Sequence, residues 1–125
     1  MKTSRPLRRT RLRPRSDKAI ARDEARRACV AAVIRRDKVC QFQQAVGAYP
    51  GYIRELELPP SWRGCVGALD AHEPRERSHG ADPTDPDQAV CLCRKHHDWV
   101  HAHPAVSYRL GLLVRGNAEP YRRRG

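Results

Sequence analysis

The sequence predicts a small α+β domain held together by metal, and three observations carry that expectation. A helical pattern of small and basic residues runs from Ser16 to about Arg36. The stretch Ala89-Val90-Cys91-Leu92-Cys93 reads as a strand, and cysteines and histidines crowd the segment from Cys65 to His101 at metal-ligand spacings. A chain of 125 residues with one Phe, two Trp and ten Pro holds one modest domain, and so small a core ordinarily needs a staple. Five cysteines cannot all pair within the chain. No signal peptide and no apolar run long enough to span a bilayer is legible, so a reducing, cytoplasmic setting is expected.

The elements follow in chain order. Residues 1–38 carry fourteen Lys/Arg against four Asp/Glu, a net of +10, whereas residues 39–125 carry eleven against ten, a net of +1. The first fifteen residues hold seven basic side chains and no acid, and they cannot bury enough apolar surface to fold alone. Such an arm suits nucleic acid, because each Arg that neutralises a phosphate releases a condensed counterion. Arg8, Arg9, Arg11 and Arg13 on the arm are the candidate contacts, with Arg26 and Arg27 on the helix that follows. That helix spans 16–37, with Ser16 as N-cap and Asp17 where the helix dipole favours an anion. Ala21, Ala25, Ala28, Cys29, Ala32 and Val33 are its expected buried stripe.

Residues 38–114 form the domain proper. The segment between Val39 and Gly64 is irregular and has no evident role: Tyr49-Pro50-Gly51 and Leu58-Pro59-Pro60 break the chain and bracket Tyr52–Leu58, a strand or extended loop. The loop from Arg75 to Asp87 has turn chemistry throughout. Pro104–Leu110 reads as a short helix with Pro at N1 and Gly111 as its stop, followed by the apolar Leu112-Leu113-Val114. Residues 115–125 are an expected frayed basic tail.

The metal ligands sort by geometry. Cys93 and His96 have the C-x2-H spacing of half a zinc knuckle, and Cys40 and Cys65 supply the rest of a tetrahedral Cys3His site for structural zinc. Cys91 shares a strand face with Cys93 and is its alternative, although the helical spacing to His96 favours Cys93. His97 and His101 lie four apart, on one helix face, and with His72 they can grip a second ion. The neighbours His96 and His97 are about 100° apart around a helix, so one helix can serve both sites. His103, just before Pro104, is expected to be an ordinary residue, and Trp99 and Val100 to pack the helix onto the strands.

The segment Leu69-Asp70-Ala71-His72-Glu73-Pro74, with Gln88 and then His97-Asp98-Trp99-Val100-His101, resembles the HNH endonucleases, the ββα-metal nucleases. The resemblance covers residues 38–114 and is strongest over 65–104. The spacing from His72 to Gln88, on to His97 and then to His101 is similar to the colicin nuclease branch, and Cys93 through Pro104 is similar to compact HNH proteins of phages and actinobacteria. The resemblance implies a small ββα-metal domain with a zinc knuckle and a basic N-terminal helix. It implies that His72, His97 and His101 hold a catalytic divalent ion (Mg, Mn, Ni or Zn). Glu73 stands where the family carries the general-base His, and Gln88 where it carries the Asn that tethers the loop. His79 is expected to be an exposed loop histidine, with service as a stand-in base its alternative, and Asp70 shares the strand face of His72. The implied activity is metal-dependent hydrolysis of DNA by a monomer or weak dimer that nicks one strand, leaving 5′-phosphate and 3′-hydroxyl ends. Phage origin and work beside terminase subunits in DNA packaging are implied in the same way. A zinc-dependent DNA-binding or packaging accessory without turnover is the alternative.

Overall fold

The computed structural model describes residues 13–76, 80, 82–116 and 118–122. Arg8, Arg9, Arg11 and His79 lie outside them. The chain is a small α+β domain built on two antiparallel strands, β1 (Leu69–His72) and β2 (Val90–Cys93). Their register pairs Leu69 with Cys93, Asp70 with Leu92, Ala71 with Cys91 and His72 with Val90. Four α-helices surround this ribbon among the described residues: α1 (Asp17–Asp37), α2 (Phe42–Gly47), α3 (Arg94–Ala102) and α4 (Pro104–Leu110). None of these is long and apolar enough to cross a membrane.

A two-stranded ribbon is unstable in water by itself, so both faces must be covered. Side-chain alternation sends Ala71 and Cys91 to one face, where they join Ala89 against Cys29 and Val33 of α1. On the other side Val90 and Leu92 enter the main core with Phe42, Val46, Leu56, Trp99, Val100, Leu112 and Leu113. Coverage on both faces explains why β2 is an unbroken buried run.

Helix α1 begins as its sequence predicts, with the Ser16 hydroxyl accepting from the Ala19 N–H at 3.2 Å. Its buried stripe differs from the expected one. Cys29 and Val33 are buried and Ala32 half-buried, but Ala21, Ala25 and Ala28 are exposed, and the stripe continues instead through Arg26, Val30 and Asp37. Alanine buries too little surface to choose a helix's orientation, and the larger side chains decide it. Asp37 is fully buried at the helix end. It accepts the Arg36 guanidinium at 2.8 and 3.0 Å and the Cys91 N–H at 2.9 Å, so the end of α1 is fastened to the middle of β2.

The segment expected as a strand or loop over Tyr52–Leu58 is a 3₁₀ turn, Ile53–Leu56. With breakers at both ends it forms no ladder, and it anchors to the core through buried Leu56, with Leu58 packed partly against the same cluster. Helix α4 follows expectation, with Pro104 in its first turn and Gly111 at φ +74° as its stop. The tail is not frayed through its described part: the Tyr121 N–H donates to the Gly111 carbonyl at 2.8 Å, and the Tyr121 hydroxyl donates to Gln41 Oε1 at 3.3 Å. A Cβ at position 111 would stand 2.6 Å from the Tyr121 nitrogen. Gly111→Ala therefore combines left-handed strain with displacement of the tail and is expected to cost about 2 kcal/mol in chemical denaturation. An unchanged midpoint would contradict that packing.

Candidate metal centres

Four side chains from separate parts of the chain converge at the start of α3. Cys40 precedes α2, Cys65 lies in the loop before β1, and Cys93 and His96 straddle the β2–α3 junction. Their sulfurs stand 3.3, 3.7 and 3.2 Å from His96 Nδ1, in the order Cys40, Cys65, Cys93. A tetrahedral zinc with ordinary Zn–S and Zn–N bonds separates sulfur from nitrogen by about 3.5 Å, so the spacing fits. Hydrogen bonding alone does not account for it. His96 Nε2 lies 2.7 Å from the Trp62 carbonyl, which requires a proton on that nitrogen and leaves Nδ1 one lone pair for three sulfurs. A cation at the centre satisfies all four donors, and the group can hold a structural metal such as zinc.

Local structure explains how the ligands are placed. Cys93 caps α3, its sulfur accepting from the His96 N–H at 3.4 Å, so the helix start fixes both of these ligands. Cys65 is held by the Val66–Ala68 backbone, which accepts from Lys95 and Arg94 at 3.0 Å each. Gly67, at φ +91°, permits that approach, since a Cβ there would meet Arg94 Cβ at 2.7 Å. The segment without an evident role in the sequence proves to be the wall of this site. Phe42 stacks on the His96 ring at 4.2 Å and 2°, and the Trp62 carbonyl sets its tautomer. Cys91, the alternative to Cys93, is buried under α1 instead.

Burial pushes the Cys40 thiol up to about 12 and raises Cys65 as well. Burial also opposes ionisation of Cys93, but the backbone N–H groups of His96 and Val66 and the two neighbouring thiols bring it below its ordinary value. Cys93 is thus the thiol of the three that ionises most easily, and a cation among them would favour ionisation of the other two.

The second cluster is His72, His97 and His101, whose ring centroids are 5.2 to 5.5 Å apart, each pair edge to face. One nitrogen from each lies within 4.8 Å of the others. His72 comes from the end of β1, while His97 and His101 come from one face of α3. His72 Nε2 meets the Leu112 carbonyl at 2.5 Å, which places its proton there and leaves the lone pair of Nδ1 available to a cation. His97 Nδ1 is buried without a hydrogen-bond partner, alone in this among the described side-chain nitrogens and oxygens. An orphaned polar atom costs about 1–3 kcal/mol, a cost that a bound ion or its water can remove.

Burial lowers the His72 pKa to about 4 and, with His101 nearby, lowers that of His97. Both rings are therefore neutral, and able to ligate, at physiological pH. Because unfolded His72 takes up its proton near 6.5, its contribution to folding stability is fully present above that pH and is lost as the pH falls toward 4. In the zinc-loaded protein without a second ion, the His72 ring resonances are expected to titrate well below 6.5, as read by NMR. Titration at the ordinary value would show that the ring is solvated.

The remaining expected site residues fall elsewhere. Gln88 ends a 3₁₀ turn, Pro86–Gln88, and spans the loop: its Oε1 accepts from the Asp82 N–H at 2.8 Å and its Nε2 donates to Asp85 Oδ2 at 3.1 Å. Asp70 accepts from the Ala71 N–H at 2.7 Å. Arg13 and Arg27 are exposed. Arg26, expected with Arg27 to contact nucleic acid, is turned inward to the carboxylate of Glu73 at 2.7 Å. The rotation of α1 that exposes its alanines brings Arg26 over β1. His103 stacks on Trp99 at 4.2 Å and joins neither cluster.

Compared with protein-family models, with curated proteins and with solved structures, the chain matches none.

Proposed function

We propose that this protein is a metal-dependent endonuclease of the HNH, or ββα-metal, type that nicks DNA. The observation that carries the reading is the convergence of His72 from β1 with His97 and His101 from α3, two antiparallel strands followed by a helix, with a buried orphan nitrogen on His97. Three imidazole ligands leave coordination positions open on a divalent ion. When bound, that ion supplies Lewis acidity to a phosphodiester oxygen and stabilises charge on the leaving group.

The chain's own residues do the rest. His72 is oriented by the Leu112 carbonyl, and Gln88 holds the loop closed beside β2. Glu73, next to His72, is the carboxylate assigned to accept a proton from the attacking water. The zinc-type site fixes the start of α3 and so the rotation of His97 and His101. The exposed arginines of the arm and of α1 hold phosphates without reading bases, so weak sequence specificity follows. Terminase subunits remain proposed partners on the resemblance alone.

The test is nicking of supercoiled plasmid by the purified chain in Mg2+, Mn2+ or Ni2+. Open-circular product that appears with metal and vanishes with EDTA is expected. Salt-sensitive DNA binding with no product in any metal would replace this reading with the non-cutting accessory.

A further inference from the structure

We infer that Arg26 is a positioning residue, the group through which α1 sets the carboxylate of Glu73 beside the strand that carries His72. The inference rests on the preceding reading of Glu73 as the base. One guanidinium makes three contacts across the site. Nη1 donates to Glu73 Oε1 at 2.7 Å and to the Pro83 carbonyl at 2.8 Å, and Nη2 donates to the Ala71 carbonyl at 3.0 Å. It therefore touches the residue before His72, the residue after it, and the loop that Gln88 closes.

The need for such a group is local. β1 ends at His72, so Glu73 lies just beyond the strand pairing, and its side chain has three rotatable bonds to fix. A monodentate contact from a flexible lysine would leave that freedom. A planar fork whose other donors are anchored to two backbone carbonyls removes it. Burial separates this arginine from its neighbours on α1. The Arg26 and Glu73 side chains are 25% and 13% exposed, whereas Arg22 and Arg27 lie open to solvent. An arginine whose task is to hold a DNA phosphate gains nothing from such enclosure. Arg36 repeats the device ten residues on, donating to the Pro86 and Ala89 carbonyls at 2.8 and 2.6 Å, so α1 fastens the β1–β2 connection at two points. The basic helix is thus part of the site's framework, and the rate of the chemical step depends on it.

The test compares Arg26→Ala, Arg26→Lys and Arg27→Ala in the zinc-loaded full chain, with nicking in Mn2+ measured across DNA concentration and binding measured in EDTA. Arg26→Ala is expected to lower the rate at saturating DNA by about 30-fold while half-saturation moves by no more than about 2-fold, and added guanidinium is expected to restore part of the rate. Arg27→Ala is expected to raise half-saturation and weaken binding in EDTA. If Arg26→Ala melts before assay, Arg26→Lys carries the comparison, since it keeps charge and stem and loses the fork; about a 5-fold loss of saturated rate is expected. An unchanged saturated rate with raised half-saturation would make Arg26 a phosphate contact and overturn the inference.

A readout independent of turnover is the melting temperature of Arg26→Ala, Glu73→Gln and the double variant. The double variant is expected to melt no lower than the worse single one. Fully additive losses alongside wild-type nicking overturn this inference alone. A wild-type chain that nicks in no metal overturns the nuclease reading and, with it, the role assigned to Arg26.

Discussion

Replacement of Cys93 by serine is expected to remove the bound zinc and with it the cooperative unfolding transition. Cys93 is at once a ligand, the cap of α3 and the last residue of β2, and its sulfur is the one most ready to ionise. A structural zinc contributes about 10–16 kcal/mol of apparent binding free energy, as much as or more than the whole stability of a small domain. The organic core here is assembled around the site: Phe42 stacks on His96, and the Trp62 carbonyl holds its ring. Zinc content by mass spectrometry, with thermal melts in the presence and absence of a strong chelator, checks the expectation. A Cys93→Ser chain that melts cooperatively near the wild-type temperature, with chelator making no difference, would sink it. Cys91→Ser gives the contrast, since Cys91 is a buried small side chain under α1 and its loss should leave zinc content unchanged.

The second large effect concerns the histidine cluster. His97→Ala is expected to lower plasmid nicking by at least about 1,000-fold, because a metal's stabilisation of developing charge is worth several kcal/mol and each 1.36 kcal/mol is tenfold in rate. Binding to DNA in EDTA is expected to stay within about 2-fold, since the phosphate contacts are assigned to exposed arginines distant in sequence from the cluster. His97 is the informative position. It lies on the solvent side of α3 relative to His96, and truncating it removes the orphaned nitrogen while leaving the neighbouring ligand of the zinc-type site in place. Nicking that persists in the variant would detach activity from the cluster. Joint loss of folding and activity would register as a fall in zinc content and melting temperature, and so be told apart from a local effect.

Much of the architecture was legible before folding was considered. The cap at Ser16, the strand at Val90–Cys93, the short helix between Pro104 and Gly111 and both ligand sets follow from periodicity and spacing. These are local regularities, in which a residue's neighbours along one helix or strand fix where its side chain points. The orientation of α1 was not legible, because its alanines offered a stripe that the heavier Cys29, Val33, Arg26 and Asp37 overruled. The role of residues 42–64 was hidden for a related reason: a wall against a metal site needs shape and one carbonyl, and it has no residue signature.

From the sequence by itself came the class of domain and the two groups of side chains able to hold a metal, one sulfur-rich and one all-histidine. Only the tertiary structure decided which nitrogen of His72 and of His96 carries the proton and which arginine meets Glu73. Leu112 meets His72 across forty residues, Trp62 meets His96 across thirty-four and Arg26 meets Glu73 across forty-seven. Contacts at such separations depend on how helices and strands close over one another, and the two-residue and four-residue periods of the chain carry no record of that closure.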